Sequence, residues 1–180
     1  MDWILFWTAF GAIGGTVGAL ATAAAVFVAL WQTKYSQKKK LKLMFSDDVR
    51  IATGLGENVG ELVSLDVTNI GNRMTVLIRW GFELKNNEKM IIVSNLPMDS
   101  LPVLLQKQFI SKFPYNLDIE QQVTLYYEKC KFLKVISDSC QKNELDPNQK
   151  IIFYVTDSTG KEYRVKSKKK AKEYCNTSKL

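Results

Sequence analysis

The sequence opens with a long apolar stretch, and no charged side chain occurs between Trp3 and Thr33. An α-helix needs roughly 20 apolar residues to cross a hydrocarbon core about 30 Å thick. Aromatic residues, which favour membrane interfaces, mark both ends of the stretch. They are Trp3, Phe6, Trp7 and Phe10 at one end, and Phe27, Trp31 and Tyr35 at the other. The sequence therefore predicts a transmembrane helix over residues 1–33.

A cleaved signal peptide is the alternative for this stretch. Such a peptide has a positive start, an apolar run of about 7–15 residues and a cleavage site with small residues. Here Met1 and Asp2 bring no cation, and the small residues Ala21, Thr22 and Ala23 lie in the middle of the apolar run. These features favour a permanent membrane anchor.

Positive charge follows the apolar stretch and is absent before it. Lysine and arginine are retained on the cytoplasmic side of a membrane helix, so we expect the N-terminus outside and the rest of the chain in the cytoplasm, at the cell membrane. Lysines near an anionic leaflet also gain about 1 kcal/mol each. Residues 34–40 are predicted to be a basic juxtamembrane linker. The predicted membrane-surface lysines are Lys34, Lys38, Lys39, Lys40 and Lys42.

Small residues recur along the apolar stretch at spacings of three and four. This spacing places them on one face of a helix, and two of the pairs match the G-x-x-x-G pattern that lets membrane helices approach closely. Glycine and alanine are also common in membrane helices generally. The stripe favours self-association or packing against a partner helix. Its members are Gly11, Gly14, Gly15, Gly18, Thr22, Ala25 and Ala29.

From Leu41 onward the apolar period changes to two, as in antiparallel strands with one buried face. In the clearest run, Val76, Ile78, Trp80, Phe82 and Leu84 are predicted to face the core. A hairpin is predicted from Ile151 through a turn at 157–160 to Lys166. A further edge strand is predicted within residues 106–113. We expect a β-sandwich domain over residues 41–166.

One short helix is predicted from Tyr127 to Asp138, because apolar residues there follow helical spacing. It would place Cys130 on its buried side. The chain has three cysteines and no histidine, so neither a disulfide framework nor a structural zinc site is expected. The predicted fold class is mainly β, with an N-terminal transmembrane helix, an antiparallel immunoglobulin-like β-sandwich and one short helix.

Two stretches carry a family resemblance. The run VTNIGNRMTVLIRWGF at 67–82 and the hairpin VTDSTGKEY at 155–163 resemble segments of small, uncharacterised bacterial and phage membrane proteins that pair an N-terminal span with an immunoglobulin-like sandwich. The resemblance covers most of residues 1–166 and rests on structural motifs. It implies the fold and a prokaryotic setting, and it transfers no activity and no site residue.

Charge is distributed unevenly along the chain. Residues 43–163 hold 13 Lys and Arg against 16 Asp and Glu, although the whole chain has a net charge of +7. The basic character lies in the flanking segments, so no nucleic-acid-binding face is expected on the domain. Residues 167–180 are predicted to be a basic C-terminal tail, either solvated or bound to anionic lipid or nucleic acid.

Recognisable catalytic chemistry is missing from the sequence. There is no phosphate-binding loop, dinucleotide fingerprint or serine-nucleophile motif, and without histidine the usual base for a cysteine nucleophile is absent. We expect no enzyme activity, no cofactor and no metal.

The sequence favours a membrane-anchored interaction protein whose partners are membrane lipid, a second copy or another membrane helix, and an unidentified protein. A phage exclusion, immunity or defence role fits by analogy, and the alternative is an oligomerising effector that permeabilises the membrane.

Overall fold

The computed structural model describes residues 2–52, 58–92 and 112–177. The chain divides into two compact units, Met1–Lys38 and Lys39–Leu180. The predicted edge strand within residues 106–113 lies almost wholly outside the described residues. Residues 112 and 113 are not in a strand.

The first unit is one helix, α1, which spans Trp3–Ser36. Its Phe6–Ser36 segment is long and apolar enough to cross a membrane, and the most apolar 18-residue window in it has a mean hydropathy of 2.0. The helix continues three residues beyond the predicted end at residue 33, because no proline or glycine occurs from Gln32 to Ser36 to end it. Lys34 therefore belongs to the last turn of α1 rather than to a linker, and residues 37–40 separate the helix from the first strand.

Within its described residues, the second unit contains two antiparallel sheets and two helices. One sheet has the order β1-β2-β6. The other has the order β4-β3-β7-β8, with β5 paired to β3. The strands are β1 Leu41–Ala52, β2 Asn58–Asn69, β3 Thr75–Glu83, β4 Lys89–Ile91, β5 Tyr115–Leu117, β6 Gln122–Glu128, β7 Lys150–Asp157 and β8 Glu162–Lys170. The helices are α2 Lys129–Gln141 and α3 Ala171–Thr177, and a 3-10 turn covers Lys85–Asn87.

One hydrophobic core takes side chains from both sheets. The rings of Phe45 in β1 and Phe153 in β7 stack with centroids 3.9 Å apart. Trp80 in β3 is fully buried, as its alternating run predicted. The mainly β class with antiparallel sheets, a long apolar N-terminal helix and a short helix is therefore confirmed.

The predicted inward face of β3 is wrong in its first half. Thr75 and Leu77 are buried, whereas Ile78 is 44% exposed; the inward positions then resume at Trp80 and Phe82. The pairing with β7 skips one residue between Leu77 and Arg79. A β-bulge of this kind places an extra residue in one strand and reverses which side chains face the core. Strict alternation could not anticipate that reversal.

The short helix α2 begins and ends later than predicted. Its buried side chains are Phe132, Ile136 and Ser139, and Cys130 is exposed rather than buried. Strand β6 continues to Glu128, so the helix starts at Lys129 and its inward face is rotated from the predicted one.

The predicted basic tail at residues 167–180 is folded over its described part. Strand β8 continues to Lys170 and α3 follows directly. Ala171 and Tyr174 enter the core, with 0% and 4% exposure. The Ser167 hydroxyl accepts a hydrogen bond from the Ile151 amide at 3.0 Å. Pairing with β7 thus orders a segment whose own composition carries no strand signal.

Candidate functional site

The small-residue stripe on α1 is open along its glycines. A Cβ atom placed on Gly11, Gly14, Gly15 or Gly18 would meet no atom within 4 Å. At 100° per residue, the seven predicted stripe residues lie within an arc of about 100°. The helix backbone is consequently bare along one side, which is the geometry that close helix–helix contact in lipid requires.

The threonine hydroxyls of α1 are hydrogen-bonded to its own backbone. Thr8 donates to the Ile4 carbonyl at 2.8 Å, Thr16 to the Ile13 carbonyl at 2.8 Å and Thr22 to the Gly18 carbonyl at 2.9 Å. A polar group in hydrocarbon must find an internal partner. These bonds satisfy the hydroxyl donors and suit the helix to an apolar surrounding.

The aromatic residues cluster at the two ends of α1. Trp3, Phe6, Trp7 and Phe10 contact one another with ring centroids 5.9 to 6.4 Å apart. Trp31 and Tyr35 stack at 5.8 Å near the other end. The small-residue stripe lies between these two clusters.

The five predicted membrane-surface lysines belong to both units of the structure. Lys34 lies in the last turn of α1, and the Lys38 ammonium lies 5.2 Å from the Tyr35 ring centroid. Lys39 and Lys40 begin the second unit, where their backbone carbonyls are hydrogen-bonded. Lys42 is exposed in β1, opposite Thr68. The lysines therefore divide between the helix end and the start of the domain.

Several segments meet where the chain enters the second unit, and we call this surface the entry face. The Lys40 carbonyl accepts the Ile70 amide at 2.9 Å. The Lys39 carbonyl accepts the Tyr163 hydroxyl and the Lys161 ammonium, both at 3.4 Å. The entry face consists of residues 39–40, 69–74, 118–121 and 157–161.

Asn69 holds two of these segments together. Its buried side-chain amide donates to the Arg73 carbonyl at 2.8 Å and to the Leu117 carbonyl at 3.2 Å, and its side-chain oxygen accepts the Gly71 amide. Its backbone pairs with Gln121 and Glu120. Asn69, which begins the N-I-G-N segment of the run at 67–82, therefore joins two loops as well as stabilising its own turn.

Asp157 organises the hairpin of the entry face. Its carboxylate accepts hydrogen bonds from the Thr159 amide and hydroxyl and from the Lys161 amide, at 2.5 to 3.0 Å. Burial by itself raises the pKa of this carboxyl, but the hydrogen bonds outweigh burial and the pKa lies below its usual value. Burial, together with the neighbouring Asp157 charge, raises the pKa of Tyr163 to about 12.

Three apolar side chains stand exposed on the entry face: Ile70 at 45%, Met74 at 50% and Ile119 at 53%. Sequence reasoning did not single them out, because one apolar residue in a turn carries no period. For Ile70 and Met74, the available signal was an apolar residue placed beside the turn residues Asn69, Gly71 and Asn72.

The described ranges contain no group of three His, Cys, Asp or Glu residues able to hold a metal. A groove of about 340 Å³ is lined in part by Glu83, Lys85 and Asp146. Glu83 pairs with Arg164 at 2.7 Å, and Lys85 is hydrogen-bonded to Asn143. Glu83 and Lys85 are therefore each paired with a residue outside the lining of the groove.

The surroundings of Cys140 lower the reactivity of its thiol. Burial and the neighbouring Cys175 thiol raise the pKa of Cys140 to about 12. A thiol with such a pKa stays protonated and is a poor nucleophile at neutral pH.

No family model matches this chain, and no curated protein matches it. One solved structure that aligns with it is described as the X-ray structure of Northeast Structural Genomics Consortium target SoR45. It is 11% identical, and the alignment covers 74% of this chain and 84% of that one, with a TM-score of 0.27.

Proposed function

We propose that this protein is a non-enzymatic, single-pass membrane protein whose β domain binds a protein partner at the inner leaflet. The observation that carries the proposal is α1: it is long and apolar, none of its hydrophobic window is buried by the rest of the chain, and its stripe of small residues is open. A helix that is apolar all round needs an apolar surrounding. The stripe adds a surface for a second copy or another membrane helix.

The domain is proposed to be an immunoglobulin-like sandwich in the cytoplasm. Its two antiparallel sheets share a core, which supports the layered arrangement. Lysines follow α1, whereas the acidic residue Asp2 precedes it, and this difference in charge supports an N-terminus outside the cell membrane. Residues 37–40 reach about 14 Å at most, which tethers the domain to the leaflet. A phage exclusion, immunity or defence role remains our proposal by analogy alone.

Fractionation and a reporter test this placement. The full chain is expected to stay in the membrane pellet after alkaline carbonate washing. A fluorescent protein fused after Leu180 should be active, whereas alkaline phosphatase at the same position should be inactive. Recovery in the soluble fraction, an N-terminus near residue 25, or active phosphatase would contradict the proposal.

Partner binding needs a separate experiment. The full chain is purified from mild detergent in three forms, the wild type, Ala25→Ile on the stripe and Ala24→Ile on the opposite side of α1. Proteins lost with Ala25→Ile alone bind the helix, and proteins retained by all three bind the domain. Absence of any retained protein would contradict the domain's proposed role.

A permeabilising effector is the competing function. The hydrogen bonds of Thr8, Thr16 and Thr22 to helix carbonyls support the interaction protein, since they leave little polar surface to line a pore. Overexpression should leave the membrane potential intact, and its collapse would favour the effector.

A further inference from the structure

We propose that the entry face is an amphipathic surface that docks the domain onto anionic lipid of the membrane that α1 spans. This inference rests on the proposed membrane anchor and adds a lipid-binding role for three loops of the domain. Its apolar contacts are Ile70, Met74 and Ile119, and its basic contacts include Arg73 and Lys161.

The first step in the argument is covalent reach. Lys39 follows the end of α1 at Ser36 by three residues, which span about 10 Å at most. The Ile70 amide and the Tyr163 hydroxyl bind the carbonyls of Lys40 and Lys39 directly. The loops are therefore hydrogen-bonded to the residues at which the chain enters the domain.

The second step is the apolar content of the face. Ile70, Met74 and Ile119 are about half exposed, although all three lie in loops that could carry polar residues at no cost to the core. Asn69 bonds to both loops, so Ile70 and Ile119 are presented by one joined structure. Exposed apolar side chains with a polar surround are typical of interaction surfaces.

The third step is charge. The entry face carries four positive charges, on Lys39, Lys40, Arg73 and Lys161. The acidic residues there are Asp118, Glu120 and the buried Asp157. Residues 43–163 as a whole carry more acids than bases, so the balance at the face is opposite to that of the domain. Basic and apolar side chains together match an anionic headgroup layer above acyl chains.

The rigidity of the loops completes the argument. Asp157 fixes the hairpin through the Thr159 and Lys161 amides, and the Ser158 amide binds the Val76 carbonyl at 2.8 Å. A preorganised surface loses less conformational freedom on binding than a flexible one. The face is thus built to present its side chains in one arrangement.

Paramagnetic broadening of methyl signals tests the inference on the full chain. The protein carries ¹³C-methyl isoleucine and methionine and is placed in nanodiscs doped with a lipid that bears a nitroxide near the top of its acyl chain. One set of nanodiscs contains phosphatidylcholine with about one-third phosphatidylglycerol, and the other phosphatidylcholine alone. Ile91, which is 48% exposed in β4, is the matched control.

In the anionic nanodiscs the methyl signals of Ile70, Met74 and Ile119 should lose more than half their intensity while Ile91 keeps its own. In phosphatidylcholine alone, or with Arg73→Glu and Lys161→Glu together, the loss should shrink at least twofold. Equal intensities at Ile70 and Ile91 would overturn the inference. Equal broadening in nanodiscs with and without phosphatidylglycerol would overturn the assignment to anionic lipid.

The experiment separates this inference from the proposed function. If the loop methyl signals are broadened but no protein copurifies with all three forms of the chain, the lipid-binding face is supported and the partner-binding role is contradicted. If the loop methyl signals are not broadened but a protein partner is retained, the partner-binding role is supported and the lipid-binding face is contradicted.

Discussion

The Tyr174 hydroxyl donates a hydrogen bond to the Asp47 carboxylate at 3.1 Å, joining α3 to β1 across 127 residues of sequence. Lys169 pairs with the same carboxylate at 2.8 Å. Burial raises the pKa of Asp47, yet Lys169 and Tyr174 outweigh it and hold that pKa below its usual value. The Tyr174 ring also packs edge-on against Phe132 in α2, with centroids 5.5 Å apart. Helix α3 therefore contributes to the stability of the domain.

Removal of this hydroxyl should destabilise the domain. Tyr174→Phe keeps the ring packing and loses one hydrogen bond to a charged group, which costs on the order of 2 kcal/mol. Thermal unfolding of the full chain in detergent, followed by near-ultraviolet circular dichroism, should show a midpoint several degrees lower. Tyr115→Phe is the control, because the Tyr115 hydroxyl makes no hydrogen bond within the described ranges. Equal midpoints for the two variants would contradict a structural role for the C-terminus.

Asn69 should be far more sensitive to substitution than its neighbour Asn72. Asn69→Ala leaves the Arg73 and Leu117 carbonyls and the Gly71 amide without their partner, a loss of about 2 kcal/mol or more. Amide hydrogen exchange in residues 69–74 and 118–121 should accelerate. Asn72 is exposed, so Asn72→Ala should leave the exchange rates unchanged. Slow exchange in Asn69→Ala would show that other contacts hold the loops.

Alkaline pH should weaken the domain through Tyr163. Its pKa is raised from 10.0 to about 12, so the folded chain keeps the phenol proton that the unfolded chain releases. The stabilisation is fully present below pH 10 and is lost as pH rises from 10 to 12. The thermal midpoint of Tyr163→Phe should therefore fall less steeply over this interval than that of the wild type. Parallel pH profiles would argue against the shifted pKa.

Acidic pH should weaken the domain through Asp47 and Asp157, whose pKa values are lowered rather than raised. The lowered pKa values of Asp47 and Asp157 mean that each carboxylate stabilises the fold above its ordinary pKa near 3.8. That contribution disappears as pH falls through the lower folded-state pKa. Asp157→Asn should flatten the fall in midpoint below pH 4, whereas Asp138→Asn, at an exposed position of α2, should leave it as in the wild type. A wild-type midpoint that stays level below pH 4 would contradict this assignment.

The stripe on α1 should be sensitive to bulk, and the opposite side should not. Ala25→Ile fills part of the bare surface and should reduce self-association of the full chain several-fold, since close packing of membrane helices contributes on the order of 1 kcal/mol. Ala24→Ile adds the same bulk on the other side. A split-luciferase signal between differently tagged copies in cells measures both, and Gly15→Ile should behave as Ala25→Ile does. Equal signals from Ala24→Ile and Ala25→Ile would dismiss the stripe as an interface.

The elements that could be predicted from the sequence are those whose hydrophobic or turn pattern is set by neighbouring residues. The apolar length of α1, the alternation of Leu41, Leu43 and Phe45 and the hairpin turn at Asp157 could all be predicted, because each depends on neighbours in sequence. The bulge at Ile78 could not, since only pairing with β7 reveals the extra residue. The same holds for Cys130, whose exposure depends on where β6 stops and α2 begins.

The sequence by itself determined an apolar helix, a basic flank and a mainly β domain, because hydrophobic length and period are properties of a single segment. The tertiary structure alone decided that the basic C-terminus is folded, that Asn69 joins two loops and that Ile70, Met74 and Ile119 share a surface with lysines. The contact of Asn69 with Leu117 joins residues 48 positions apart, and that of Tyr174 with Asp47 joins residues 127 positions apart. Such contacts form only when the chain has closed on itself, so no local pattern records them.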